Sequence, residues 1–134
     1  MKRTRVVLVD DTEDVRGVLT ALMAYDGRFE IVGEAANGRD GVSMAGDMQP
    51  DLVLLDLAMP VMDGLTALPL IRTAAAGAKV VVLSAFGNDE SVQAALGRGA
   101  AAFVIKGGRL LDTLIPVLEE VLGLEEPAAG TGTV

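Results

Sequence analysis

Apolar residues fall into five short runs of strand length: Val6 to Val9, Phe29 to Ala35, Leu52 to Leu55, Val80 to Leu83 and Ala101 to Ile105. Longer stretches separate them, and in these the apolar positions recur at helical spacing. In the first such stretch Val15, Val18, Leu19, Leu22 and Met23 form one stripe, with Asp11 or Thr12 placed to cap it and acids in its first turn. In the last, Leu111, Leu114, Ile115, Leu118, Val121 and Leu122 form another. The stretch from about Asn88 to Arg98 offers only Val92, Ala95 and Leu96 before Gly97 and Gly99, and is the helix expected to shift at least cost. Pro69 and Pro116 fall where helix interiors are expected; each removes a backbone donor and predicts a kink.

Four of these runs are apolar almost throughout, the pattern of a parallel strand covered on both faces. The second carries Glu30 and Glu34 and suits a sheet edge. Strict alternation of strand and helix predicts an α/β fold: a parallel sheet between two layers of helices, joined by right-handed crossovers. The 134 residues suit one domain. That domain is expected to occupy residues 1–123, with 124–134 as a flexible tail or linker without a packed face.

Composition then narrows the chemistry. There is no cysteine and no histidine, which excludes disulfides, thiolate metal sites, a Ser/His/Asp triad and a phosphohistidine carried by this chain. A net charge of −8 opposes binding to nucleic acid phosphates. Met1-Lys2-Arg3 does not open a signal peptide, and no apolar stretch reaches membrane-spanning length, so a cytoplasmic location without membrane contact is expected. Any bound metal should be a hard cation with oxygen ligands.

Four of the five runs give way to polar residues: Asp10-Asp11, Asp56, Ser84 and Lys106. In a parallel sheet these ends share one edge, where open α/β sheets bind ligands. Asp10, Asp11 and Asp56 would converge there, and three carboxylates so close call for a cation. With no nitrogen or sulfur ligand at hand, magnesium is indicated. If the strand of Ser84 lies beside that of Asp56 and the strand of Lys106 one further out, the separations are roughly 5 and 10 Å. A hydroxymethyl reaches the first and a lysine arm the second. With Asp56 as nucleophile, the set would neutralise a transferring phosphoryl group from several sides.

These residues, with Leu-Leu-Asp56-Leu-Ala-Met-Pro60-Val-Met-Asp-Gly64 after the third strand and Ser84-Ala85 after the fourth, resemble the receiver domains of two-component response regulators, the CheY-like family. The match runs from about Thr4 to Leu122. The resemblance implies a doubly wound, flavodoxin-like sheet of order 2-1-3-4-5 with helices on both faces. It implies a signalling phosphoacceptor rather than a turnover enzyme. Asp56 would take the phosphoryl group from a sensor histidine kinase, a phosphotransfer protein or a small donor. Asp11 and Asp56 would ligate magnesium directly, Ala58 through its backbone carbonyl and Asp10 through water. Ser84 would follow the phosphoryl group and Phe103 would change rotamer with it, so that the surface of the fourth helix, fifth strand and fifth helix controls an output domain or partner, a homodimer being one form. Ala58 and Phe86 would flank the path of attacking water. Many members follow the lysine with proline; here Gly107-Gly108 follows, which implies a more flexible loop.

Other readings compete. Asp10-Asp11 alone could be a helix cap and Asp56 a turn residue, and a lone aromatic such as Phe103 is often core. A haloacid dehalogenase type phosphatase also uses an aspartate nucleophile with magnesium, but its nucleophile follows the first strand as Asp-x-Asp, whereas the sequence here is Asp10-Asp11-Thr12-Glu13. A receiver-like binding module that works without phosphorylation is the third reading.

Overall fold

The computed structural model describes residues 2–85 and 87–124; Phe86 and the expected tail beyond residue 124 lie outside the described residues. Strands and helices alternate as β1 (Thr4–Val9), α1 (Glu13–Asp26), β2 (Phe29–Ala35), α2 (Gly38–Met48), β3 (Leu52–Asp56), α3 (Gly64–Ala74), β4 (Lys79–Ser84), α4 (Asp89–Gly97), β5 (Ala102–Ile105) and α5 (Leu110–Leu122). The strands form one parallel sheet in the order β2-β1-β3-β4-β5, the order the family resemblance implied. β2 is an edge strand, as its acidic residues indicated, and it carries a bulge at Val32 where the register against β1 slips.

Because successive residues of a strand point to opposite faces, each strand feeds two cores. Val6, Leu8, Leu52, Leu54, Val81 and Leu83 pack under α1 and α5, against Leu19, Met23, Leu114 and Leu118. Val7, Val9, Val53, Leu55, Val80 and Val82 pack under α2, α3 and α4, against Ala45, Ala67, Leu68, Ile71 and Ala95. These side chains are essentially solvent-free, so truncating one such leucine to alanine costs about 2–5 kcal/mol. The central strands β1 and β3 are thereby fixed on both faces, and so are the residues at their ends.

Side chains cap three of the helices: Asn37 accepts from the Asp40 N–H, Asp63 from Thr66 and Asn88 from Ser91, each at 2.8 Å. Helix α4 starts and stops where expected, between Asn88 and Arg98, and buries only Ala95 completely. Helices α3 and α5 run on through Pro69 and Pro116. Helix α5 ends at Gly123, in the left-handed conformation, and the Leu124 N–H returns to the Glu119 carbonyl at 3.0 Å.

Candidate functional site

The C-terminal ends of β1 and β3 bring Asp10, Asp11 and Asp56 together. One carboxylate oxygen from each lies within 4.8 Å of the other two. Asp10 and Asp56 are 2 % and 5 % exposed, while Asp11 faces solvent. Such a set, all oxygen and open on one side, fits a hard divalent cation.

Lys106, at the end of β5, reaches across the edge of the sheet. Its Nζ lies 2.6 Å from Asp10 Oδ2 and 3.3 Å from Asp56 Oδ1. The arm was expected to span the two strand spacings to Asp56; it also spans the third, to β1, and its closest partner is Asp10. The Lys106 backbone is held by its N–H to the Ser84 carbonyl at 2.7 Å, which ties the two strand ends to one another. No cis peptide bond occurs among the described residues, so the Lys106-Gly107 bond is trans.

Burial pushes the Asp56 carboxyl above its ordinary range; Lys106 opposes that shift and the neighbouring Asp10 charge adds to it. The backbone N–H of Ala58 stabilises the ionised form by hydrogen bonding. The Asp56 carboxylate is therefore kept from bulk water, with its charge held by one amide and one ammonium.

Asp10 has a structural duty as well. Its Oδ1 accepts from the Thr12 N–H at 2.8 Å, two residues on, an Asx-type turn that leads the chain into α1. Thr12 is the N-cap by backbone geometry, yet its own side chain makes no capping bond. The carboxylate that closes this turn before α1 also stands in the cluster with Asp11 and Asp56, and it caps no helix.

Three supporting positions were not singled out for these roles from the sequence. Arg16 donates to the Asp10 carbonyl and, at 2.9 Å, to Glu34 on β2. Nothing local pairs residues so far apart in sequence. Gly64 donates its N–H to the Leu57 carbonyl at 2.8 Å, and a Cβ there would overlap the carbonyl oxygen of Asp56. Gly38 does the same for Met62: its N–H bonds the Met62 carbonyl, and a side chain would collide with it. Glycine at the first position of α3, after the Asp63 cap, is the signal that would have flagged the close approach beneath Asp56.

Ser84 closes β4 beside Asp56 and is 6 % exposed. By strand alternation it stands on the face of Val80 and Val82, and Val82 is the register partner of Phe103. Phe103 is partly buried against the core under α3 and α4, on the same face as Ser84. The ring edge lies close to Gly87 in the β4–α4 loop.

A sequence model of the response regulator receiver domain matches residues 6–115. Over 102 residues the chain is 38 % identical to the chemotaxis protein CheY of Bacillus subtilis, covering 76 % of this chain and 84 % of that one. It is 37 % identical to the transcriptional regulatory protein LiaR of the same species, over 76 % of this chain and 48 % of LiaR. The chain spans half or less of the length of several curated relatives it matches. Among solved structures, the crystal structure of the CheX-CheY-BeF3-Mg complex from Borrelia burgdorferi aligns with a TM-score of 0.85 at 28 % identity, covering 92 % of each chain. The match displaces the haloacid dehalogenase reading, whose nucleophile would follow β1. The chain belongs to the response regulator receiver domain family.

Proposed function

We propose that Asp56 is the phosphoacceptor of this receiver, and that Ser84 and Lys106 are its partners in phosphoryl transfer. The observation that carries this reading is the position of the Lys106 ammonium, shared between Asp10 and Asp56 beside the exposed Asp11. Receiver domains are phosphoaccepting signalling modules rather than turnover enzymes. In the reaction an Asp56 oxygen attacks phosphorus while the leaving group departs on the opposite side. The Lys106 ammonium transfers its hydrogen bond from Asp56 to a phosphoryl oxygen, and the Ser84 hydroxyl donates to another. Magnesium, held by Asp11, Asp56, the Ala58 carbonyl and, through water, Asp10, would neutralise the remaining phosphoryl charge. The Borrelia relative whose structure names BeF3 and Mg supports that choice of ion and of phosphoryl mimic.

The donor in this proposal is a sensor histidine kinase or phosphotransfer protein in the cytoplasm, where nucleotide-derived phosphoryl groups arise. No helix among the described residues is long and apolar enough to cross a membrane. The receiver, residues 1–123, would pass its state through the α4-β5-α5 surface to an output domain joined by residues 124–134, to a separate partner, or to a second copy. LiaR, a transcriptional regulator about twice the length of this match, supports an output in transcription.

The test is labelling with a small phosphodonor and magnesium, read by intact mass. One phosphoryl group should be gained by the wild type and none by Asp56→Asn or after chelation of the metal. Full labelling of the Asn variant would assign the acceptor elsewhere.

A further inference from the structure

The charge around the site is far from uniform. In a parallel sheet with helical crossovers every helix N-terminus gathers at the edge where the strands end, which here is the edge of Asp56. The site itself is close to neutral when loaded: three carboxylates face the Lys106 ammonium and a divalent cation. Outside it stands a second ring of acids. Glu13 and Asp14 open α1, which leaves the site directly from Asp10 and Asp11; Asp89 and Glu90 open α4, which follows Ser84. All four are exposed.

First-turn acids also serve helix dipoles, but a helix N-terminus amounts to about half a positive charge, and each of these helices sets two full negative charges against it. The cations do not make up the difference. Of the eleven Lys and Arg, only Arg16, Arg39, Lys106 and Arg109 belong to this edge. Arg16 is already paired with Glu34 and Lys106 with the site. The others, including Arg3, Arg5, Lys79 and Arg98, lie at strand starts and helix ends on the opposite side. Among the described residues the excess of negative charge thus lies where a phosphodonor must approach.

We propose that this acidic rim selects phosphodonors by charge, favouring those whose phosphoryl group is flanked by positive charge. Its protein donor then presents a phosphohistidine on a basic face. Among small donors, phosphoramidate, whose phosphoryl group carries an ammonium and a single net negative charge, is favoured over dianionic acetyl phosphate. The proposal rests on Asp56 as acceptor. With phosphoramidate the P–N bond breaks, its electron pair leaves with nitrogen as ammonia, and an Asp56 oxygen forms the new P–O bond. With acetyl phosphate the P–O bond breaks and acetate leaves with the pair. The two reactions end in the same acyl phosphate, so a difference in their response to charge reports on approach.

Two unit charges about 10 Å apart in water change an encounter by roughly a factor of two at low salt. Several rim acids acting on one additional donor charge should therefore matter several-fold. Initial labelling rates with each donor at saturating magnesium would be compared from low salt to about 0.15 M, where charges are felt over only about 8 Å. Taking the ratio of the two rates cancels any effect of salt on magnesium loading. The acetyl phosphate to phosphoramidate ratio should rise several-fold with salt in the wild type. The combination Glu13→Gln, Asp14→Asn, Asp89→Asn and Glu90→Gln should raise the low-salt ratio by a similar factor and flatten its salt dependence. The α1 pair alone should give part of the change, which guards against a folding defect in the larger variant. Normal labelling with a ratio indifferent to both salt and rim charge would overturn the rim proposal alone. Failure of both donors to label the wild type would overturn Asp56 as acceptor and the rim proposal with it.

Discussion

Arg98 donates a hydrogen bond, 2.7 Å long, to the backbone carbonyl of Leu65, the carbonyl that Pro69 deprives of its helical partner. In a regular helix the N–H of residue 69 would bond the carbonyl four residues earlier. Proline has no N–H, and the guanidinium at the end of α4 supplies the donor instead. A feature that looked like a defect of α3 is thereby turned into a tie between α3 and the α4–β5 turn. Arg72, from the last turn of α3, lies against Gly99 in the same turn.

This pairing predicts a double-mutant cycle. Arg98→Ala should cost about 1 kcal/mol in the wild-type background. In a Pro69→Ala background residue 69 again donates to Leu65, and most of that cost should vanish. Urea unfolding of the four proteins measures the coupling. Equal costs in both backgrounds would show that Arg98 acts through something other than this carbonyl.

Val61 in the β3–α3 loop has φ 68°, a left-handed conformation that a β-branched residue adopts only under strain, and it is 70 % exposed. Relief of about 1–2 kcal/mol of strain outweighs the extra chain entropy that glycine brings to the unfolded state, about 0.5–1 kcal/mol. Val61→Gly should therefore stabilise the domain by about 0.5–1 kcal/mol, seen as a higher Tm. Little packing is lost at so exposed a position, so a drop in Tm would refute the strain argument.

Far from the site, Arg28 binds Asp26 at 2.8 Å and Glu119 at 2.9 Å, joining the α1–β2 turn to α5. Hydrogen bonding to Arg28 holds the Asp26 carboxyl below its ordinary value of 3.8. A depressed folded-state value contributes stability that is fully present above the unfolded value and lost as pH falls through the folded one. The stability difference between wild type and Asp26→Asn should thus hold steady at neutral pH and shrink below about pH 4. A difference that persists undiminished to pH 2 would mean that the charge of Asp26 is not what the pair uses.

The fold was legible because strand and helix periods differ and because four strands stop at polar residues. Asp56 and Ser84 prove to be the last residues of β3 and β4 themselves, one position further into the sheet than the apolar runs suggested. Sheet order came from the family pattern, since periodicity alone does not say which strands are neighbours. What stayed hidden were contacts between distant segments: Arg16 with Glu34, Arg98 with Leu65, and the reach of Lys106 to Asp10. Long side chains leave no local pattern that names their partners. The strain at Val61 was equally invisible, because valine gives no sign of a left-handed turn.

Lys106 provides the last prediction, because its ammonium answers to two buried carboxylates at once. Removing one partner from a buried charge cluster leaves the others uncompensated, typically at about 3–5 kcal/mol for a fully buried pair and less at a sheet edge open on one side. Lys106→Met keeps most of the side-chain volume and deletes the charge, so the variant should be less stable than wild type in the absence of metal. A divalent cation bound to Asp10, Asp11 and Asp56 would supply that missing positive charge. Stabilisation by a ligand follows its affinity for the folded state, and without Lys106 the cation meets no competing ammonium. Magnesium should therefore raise the Tm of Lys106→Met by more than that of wild type. Asp11→Ala, which keeps Lys106 and its two partners, should respond to magnesium least. The measurement is thermal unfolding of the three proteins across a magnesium titration, with calcium in parallel to separate ion chemistry from charge. A magnesium response in Lys106→Met no larger than in wild type would show that ammonium and cation do not compensate the same carboxylates, and would move the proposed metal site away from Asp10 and Asp56.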